Sequence, residues 1–227
     1  MPLYTTDALI LRTYKLGESD RIVVFLTRDR GKKRGVAKNA RQSRRRFGGG
    51  LEPMTCGRVG YVERERRDLV LLNYVEPTRS PLSAEDGEAL GYVGYFAELI
   101  DECAQEADPN ETLYRLGASM VEAMAGGVPI DPLARYFEYW LLRLQGVYQP
   151  DPRASGDARA FLEAARTCSP FALTSVTVSR GTLRELETTH GAQIAAHLEK
   201  DLRSVRVLKE IGREELHTEN RKSQVDR

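Results

Sequence analysis

The chain has 227 residues, 41% hydrophobic and 30% charged, with a formal net charge of +1. That balance describes a globular protein able to bury a core and long enough for two domains. No apolar run approaches the about 18 residues a membrane-crossing helix needs, which excludes a membrane-bound class of that kind.

The three cysteines, Cys56, Cys103 and Cys168, stand far apart and at no metal-binding or redox spacing. Their odd number argues against a disulfide framework, so they read as reduced, small apolar residues. The first residues, MPLYTTDALILRTYK, lack the basic start, apolar middle and small-residue cleavage site of a secretory signal, and a cytoplasmic location is expected.

From Thr5 to Pro77 the pattern is that of β structure. Residues 7–14 (DALILRTY) form a short apolar run closed by the turn KLGESD, whose residues supply unusual backbone angles or local hydrogen bonds. Residues 21–27 (RIVVFLT) are β-branched and aromatic and predict a strand. A tight turn at Asp29, Arg30 and Gly31 leads into a further strand over 31–38, and a loop over 39–50 follows.

These segments contain the densest charge in the chain. Residues 28–46 (RDRGKKRGVAKNARQSRRR) hold ten basic side chains and one acidic one, a formal +9 that leaves −8 for the rest. Unpaired cations are too costly to bury, so the block lies on the surface. Charge runs are most often solvated faces. Here, however, Gly31, Gly35 and the Val36-Ala37 pair break the run into turn, strand and loop, so the charges project from a folded scaffold. More than half are arginines, whose planar fork matches phosphate oxygens. A polyanion is the expected partner, with Arg21, Lys32, Lys33, Arg34, Lys38, Arg41, Arg44, Arg45 and Arg46 contacting its backbone.

Strands over 57–63 and 69–75 follow, joined by a charged turn at 64–68. In the first of them Val59 and Tyr61 share one face. About five strands in about 75 residues suit a small closed barrel, either SH3-like or an OB-fold. The OB-fold is preferred because its face and loops so often bind nucleic-acid strands.

At Pro77 the hydrophobic period changes from two to 3.6, and a helix start is expected near Ser83. Residues 84–104 carry an apolar stripe, with Glu85, Glu88, Glu98, Asp101 and Glu102 along the other side. Residues 111–125 form a second helix stopped by Gly126-Gly127. Asp131-Pro132 opens a third, whose buried stripe is Leu133, Phe137, Trp140, Leu141 and Leu144. Of the aromatic residues Tyr136, Phe137, Tyr139, Trp140 and Tyr148, Tyr139 alone lies off the core stripe. Shorter helices over 157–166 and within 179–211 complete a bundle, and 214–227 has too few apolar residues to pack. The fold class is α+β: an N-terminal five-stranded OB-fold barrel over 1–79, a helical domain over 80–212, and a tail, 213–227, read as disordered.

No reaction centre assembles. The segment GKKRG resembles a phosphate loop only superficially, lacking its spacing and its place between strand and helix. His190 and His197 stand seven apart without neighbouring ligands, and no Gly-flanked serine nucleophile or paired-carboxylate motif occurs. The sequence is read as a binding protein without enzymatic activity.

The runs GESDRIVVFLT, GKKRGVAK, RRRFG and LEP, all within residues 5–80, resemble those of the bacterial recombination mediator family RecO. The likeness weakens through the helices, where YFE at 136–138 and LQG at 144–146 sit in that family's long core helix, and returns at LRS, 202–204. The resemblance implies DNA repair and recombination: binding of single- and double-stranded DNA, strand annealing, contact with the C-terminal tail of the single-strand DNA-binding protein, and joint action with RecR to load RecA in the nucleoid. Many members carry a four-cysteine zinc site after the position of Gly146. Here 147–168 has no CxxC, so no zinc and no other cofactor is expected.

An acidic, apolar tail would dock on a hydrophobic pocket beside basic residues, and Arg135, Arg143, Arg203 and Arg206 are the candidates. An RNA-binding barrel serving translation or ribosome assembly is the alternative function. An unrecognised active site in the helical domain is a third.

Overall fold

The computed structural model describes residues 2–63, 67–81 and 87–211. Five strands come first: β1 (Leu3–Leu16), β2 (Asp20–Thr27), β3 (Lys32–Ala37), β4 (Cys56–Val62) and β5 (Val70–Arg79). A single helical turn, α1 (Arg44–Phe47), lies between β3 and β4. β1 pairs antiparallel with both β2 and β4, and β3 runs parallel to β5, so the order β1-β2-β3-β5-β4 closes on itself. That connectivity is the OB-fold, the preferred of the two expected barrels.

Three expectations are corrected. The segment 39–50, read as loop, contains α1, which places Phe47 in the barrel. β5 continues through Pro77 to Arg79, because the register against β4 shifts at Cys56 and Gly57 and leaves the proline without a required donor. Glu98, Asp101 and Glu102 do not line a solvent face but meet the cations of the barrel. The helix start at Ser83, the tip of the turn at 64–66 and the tail lie outside the described residues.

β1 and β2 are apolar without interruption because both of their faces are covered. Ala8, Ile10, Val23 and Phe25 point into the barrel with Val59, Tyr61, Leu72 and Val75. Leu9, Leu11, Val24 and Leu26 point outward into a second core, shared with the helices. A strand buried on two sides loses the polar-apolar alternation of a half-exposed one.

The helices are α2 (Gly87–Cys103), α3 (Glu111–Ala125), α4 (Ile130–Leu144), α5 (Gly156–Thr167) and α6 (Arg180–Leu198), with a 3-10 turn at Pro170–Ser175 and a final helix over 203–211. Side chains cap three of them. Asn110, Ser155 and Ser179 accept the amides of Leu113, Ala158 and Thr182 at 2.9, 3.1 and 3.1 Å.

α3 lies against β1 so closely that a Cβ on Gly117 would come 2.6 Å from Leu9 Cδ2. Gly31, at φ +69°, sits where a Cβ would meet the Asp108 carbonyl oxygen at 2.5 Å, so any side chain there pushes the turn off the bundle.

The bundle holds one buried ionic cluster. Glu138 of α4, 1% exposed, accepts from the Tyr95 hydroxyl at 2.8 Å and from Arg135 at 3.0 Å, and meets His190 Nδ1 at 3.2 Å. It thereby ties α2 and α6 to α4. Removing one partner of such a cluster strands the others in a low-dielectric interior. Glu138→Ala should therefore lower stability by about 3–5 kcal/mol in urea titrations.

Glu98 binds the start of the last helix, accepting from the Arg203 amide at 3.2 Å, the Ser204 amide at 2.7 Å and the Ser204 hydroxyl at 2.6 Å. Burial pushes its carboxyl upward, but the Ser204 and Arg203 donors and the Arg12 charge outweigh this and hold it below its ordinary value. Its stabilising contribution is thus complete above the ordinary carboxylate range and is lost as the pH falls through the lowered value. Protection of the 203–211 amides, relative to their intrinsic exchange rates at each pH, should fall on acidification, and Glu98→Gln should show that low protection already at neutral pH.

Candidate nucleic-acid interface

Which cations remain for a ligand depends on which ones the fold has used. Lys32 reaches Asp101 of α2, its ammonium 3.1 Å from the carboxylate and 2.5 Å from the main-chain oxygen. Lys33 pairs with Glu63 at 2.8 Å, and Arg28 donates twice to Glu111 at 3.0 and 2.8 Å. Arg30 lies 3.7 Å from Asp29 and stacks over Tyr4, 4.2 Å from its centroid. Lys32 and Lys33, counted from sequence among the ligand-binding residues, are structural cations in the free protein. Arg34 beside them is exposed, at the rim of a cleft of about 200 Å³ lined also by Arg67, Asp68 and Glu106.

Among the described residues, Arg21, Arg34, Lys38, Arg41, Arg44, Arg45 and Arg46 form no ion pair with a carboxylate. Arg34, Lys38, Arg41, Arg44 and Arg45 are exposed, and Arg21 and Arg46 are half-buried. They occupy the free half of β3, the segment that follows it and the start of β2. The β1–β2 turn is fastened to that segment. The Arg41 amide donates to the Ser19 carbonyl at 3.2 Å, its guanidinium to the Glu18 carbonyl at 3.2 Å, and the Asn39 amide to Asp20 at 2.8 Å.

Lys15, outside the sequence-based set, joins the group. It lines an open hollow with Gly17, Glu18, Ser19, Arg41 and Gln42. On the hairpin it stands directly opposite Arg21. Like charges placed face to face across two strands are destabilising. Counting positions back from the turn would have found this pairing.

α1 gives the arginine run its rigidity. Phe47 is 1% exposed inside the barrel, and a Cβ on Gly50 would come 2.9 Å from both the Phe47 carbonyl and Val75 Cγ1. Arg46 donates to the Lys38 carbonyl at 2.6 Å and to the Ser43 hydroxyl at 2.9 Å. With Phe47 plugged in and Arg46 folded back, Arg44 and Arg45 project outward from a turn that cannot slide.

The expected contacts on the helical domain fare differently. Arg135 is corrected: it is 4% exposed, with its charge engaged by Glu138, and presents nothing to a partner. Arg143 is exposed and donates to the Tyr139 hydroxyl at 2.9 Å. Arg203 and Arg206 are exposed on the last helix, Arg206 beside Asp201 at 3.2 Å. Tyr139, off the stripe in sequence, is buried at 3% with its ring edge-on to Trp140 and Tyr148.

The cysteines do not form a zinc donor set. Cys56 lies in β4, Cys103 ends α2 and Cys168 caps α5. Burial pushes the first two thiols up, to about 12 and about 11, and raises the third as well, which disfavours the thiolates a metal requires. His190 is buried on Glu138 while His197 is exposed. Among the described residues no three His, Cys, Asp or Glu side chains are grouped to hold a metal ion.

A small OB barrel bearing an anchored cationic hairpin and loop, backed by a helical bundle, defines a class of barrel-and-bundle proteins with an exposed cationic surface. The comparisons specify which. The family profile described as "Recombination protein O N terminal" matches residues 1–81, and "Recombination protein O C terminal" matches 84–154. A protein of Geobacter metallireducens named DNA repair protein RecO is 33% identical, covering 91% of this chain and 97% of its own.

Relatives of the same name from Koribacter versatilis and Anaeromyxobacter sp. strain K are 42% and 38% identical over 66% of this chain, which spans 61% and 59% of their lengths. The chain belongs to the RecO family.

Phe47→Ala should cost about 3–5 kcal/mol, the range for emptying a buried aromatic site. Urea titration measures the loss, and hydrogen exchange over 38–50 should rise more than exchange in β1.

Proposed function

We propose that this protein is a DNA repair and recombination mediator that works by binding and screening DNA, without chemical turnover. The observation carrying this reading is the set of cations left without carboxylate partners among the described residues, fixed on a turn plugged into the barrel. Phosphates would take the place of the missing carboxylates, from single- and double-stranded DNA alike. Binding would release condensed counterions and be indifferent to base sequence. Two complementary strands held on one such surface repel each other less, so annealing follows from screening alone.

Family membership supports the rest of the reading: action with RecR, contact with the acidic tail of the single-strand DNA-binding protein, and indirect service to RecA. With Arg135 buried, Arg143, Arg203 and Arg206 remain for the tail. Arg203 and Arg206 are favoured because Val207 next to them is 48% exposed, which offers the apolar contact such a tail needs. The activity requires no zinc in this reading, since the thiols are scattered and held protonated.

The test is a triple change of Arg44, Arg45 and Arg46 to Ala. Affinity for single strands and duplex should fall together, annealing should slow in parallel, and the salt dependence of log K should lose about 0.7–0.9 per phosphate contact removed. Unchanged binding by a folded variant would defeat the assignment. Structured RNA as competitor decides the nucleic acid: an RNA reader would prefer it through the 2′-hydroxyl.

A further inference from the structure

Strand register places a row of apolar side chains on the outer wall of the barrel, beyond the part covered by the helices. Tyr14 of β1 stands opposite Ile22 of β2, Ile22 opposite Val36 of β3, and Val36 beside Leu71 of β5. Their neighbours settle the direction. Val23, Ala37 and Leu72 point into the barrel, so Ile22, Val36 and Leu71 point out.

The next row towards the bundle, Arg12, Val24 and Arg34, marks the edge of the helical cover, since Val24 is buried against the helices. The Tyr14 row is not covered: Tyr14 is 45% exposed, and Ile22, Val36 and Leu71 are half-buried. Tyr14 and Phe171 are the exposed aromatic residues among those described, and Phe171 lies on the bundle.

The charges around this strip identify its occupant. Arg34 flanks it on one side and Lys38 on the other, both exposed and without carboxylate partners among the described residues. Lys15 and Arg41 lie at the hairpin end. Asp20, two residues before Ile22 on β2, accepts from the Asn39 amide. An apolar strip with one flat ring, bordered by unpaired cations, suits a ligand with π-faces on one side and negative charges on the other. At about 4.8 Å between strands the row spans about 14 Å from Tyr14 to Leu71, room for unstacked bases but not for a duplex, whose bases are turned inward.

We infer that Tyr14 is a base-stacking residue for single-stranded DNA, with Ile22, Val36 and Leu71 as its apolar floor and Arg34 and Lys38 holding the phosphates beside it. This rests on the proposed DNA-binding function and adds what the cations alone lack, a means of telling single strands from duplex. Stacking uses the ring face and not the hydroxyl, so it is tolerant of base identity.

The test compares a labelled oligo-dT, an abasic strand of equal length and a duplex, titrated at fixed salt. Wild-type protein should bind oligo-dT about tenfold more tightly than the abasic strand, in keeping with one base stacked on one ring. Tyr14→Ala should lose that advantage while its abasic and duplex affinities, salt slope and melting temperature stay as in wild type, and Tyr14→Phe should restore it.

Equal wild-type affinity for dT and abasic strands overturns the inference and leaves phosphate binding standing. So does a Tyr14→Ala variant that binds dT normally. A uniform loss on all three ligands makes Tyr14 merely structural and also overturns it. Failure of wild type to bind any of the three at low salt removes both the inference and the function beneath it.

Discussion

The double burial of β1 and β2 is the constraint on which the other features depend. Leu9, Leu11, Val24 and Leu26 on the outer wall are buried in the core shared with the bundle, as Ala8, Ile10, Val23 and Phe25 are in the barrel interior. Since a fully buried aliphatic or aromatic side chain contributes about 1.5–3 kcal/mol, four outward-facing residues are enough to hold two layers together. The bundle can reach only one half of the wall. The other half, where β1 and β2 run on to their hairpin, stays in water.

That division sorts the charges. Cations at the covered end meet the acidic end of α2: Arg12 lies 2.8 Å from Asp101, 3.4 Å from Glu102 and 3.6 Å from Glu98, and Lys32 shares Asp101. Burial lowers the Arg12 guanidinium, yet Tyr14, Asp101 and Glu98 more than compensate and its pKa ends raised. These pairs are half-buried and orient the bundle on the barrel more than they stabilise it. At the uncovered end, among the described residues, no carboxylate forms an ion pair with Arg34, Lys38, Arg41, Arg44 or Arg45. The +9 block is therefore not one functional unit; it divides into a structural part near the helices and a free part beyond them.

Much of this was legible in the residues. Strand number, the barrel, the helices at 111–125 and 157–166 and the surface position of the arginines follow from period, turn chemistry and the cost of burying charge. What the sequence could not show was pairing at a distance. Nothing near Lys32 announces Asp101, sixty-nine positions away, and nothing near Arg135 announces that its own helix turns it inward onto Glu138. α1 escaped because four residues are too few to display a helical period, and RRRF looks like loop by composition. The Tyr14 strip escaped because DALILRTY reads as one apolar run, although its first half is covered by helices and its last residue is not. Only the register, with its shift between Ile10 and Arg12, reveals the change.

The unpaired cations are themselves an energetic argument. Two exposed charges about 6 Å apart repel by about 0.7 kcal/mol in water, and Lys15 stands opposite Arg21 across the hairpin. A solvated face under no other demand would relieve this with interspersed carboxylates, as the same chain does at Arg28 with Glu111 and at Lys33 with Glu63. Along the hairpin and the α1 turn, Glu18 and Asp20 form no ion pair with these cations among the described residues. The repulsion is tolerated there because Phe47, Gly50 and the Asn39–Asp20 and Arg41–Ser19 hydrogen bonds hold the backbone in place against it. A polyanion laid on such a surface recovers that stored repulsion in addition to its own attraction, without waiting for the protein to rearrange.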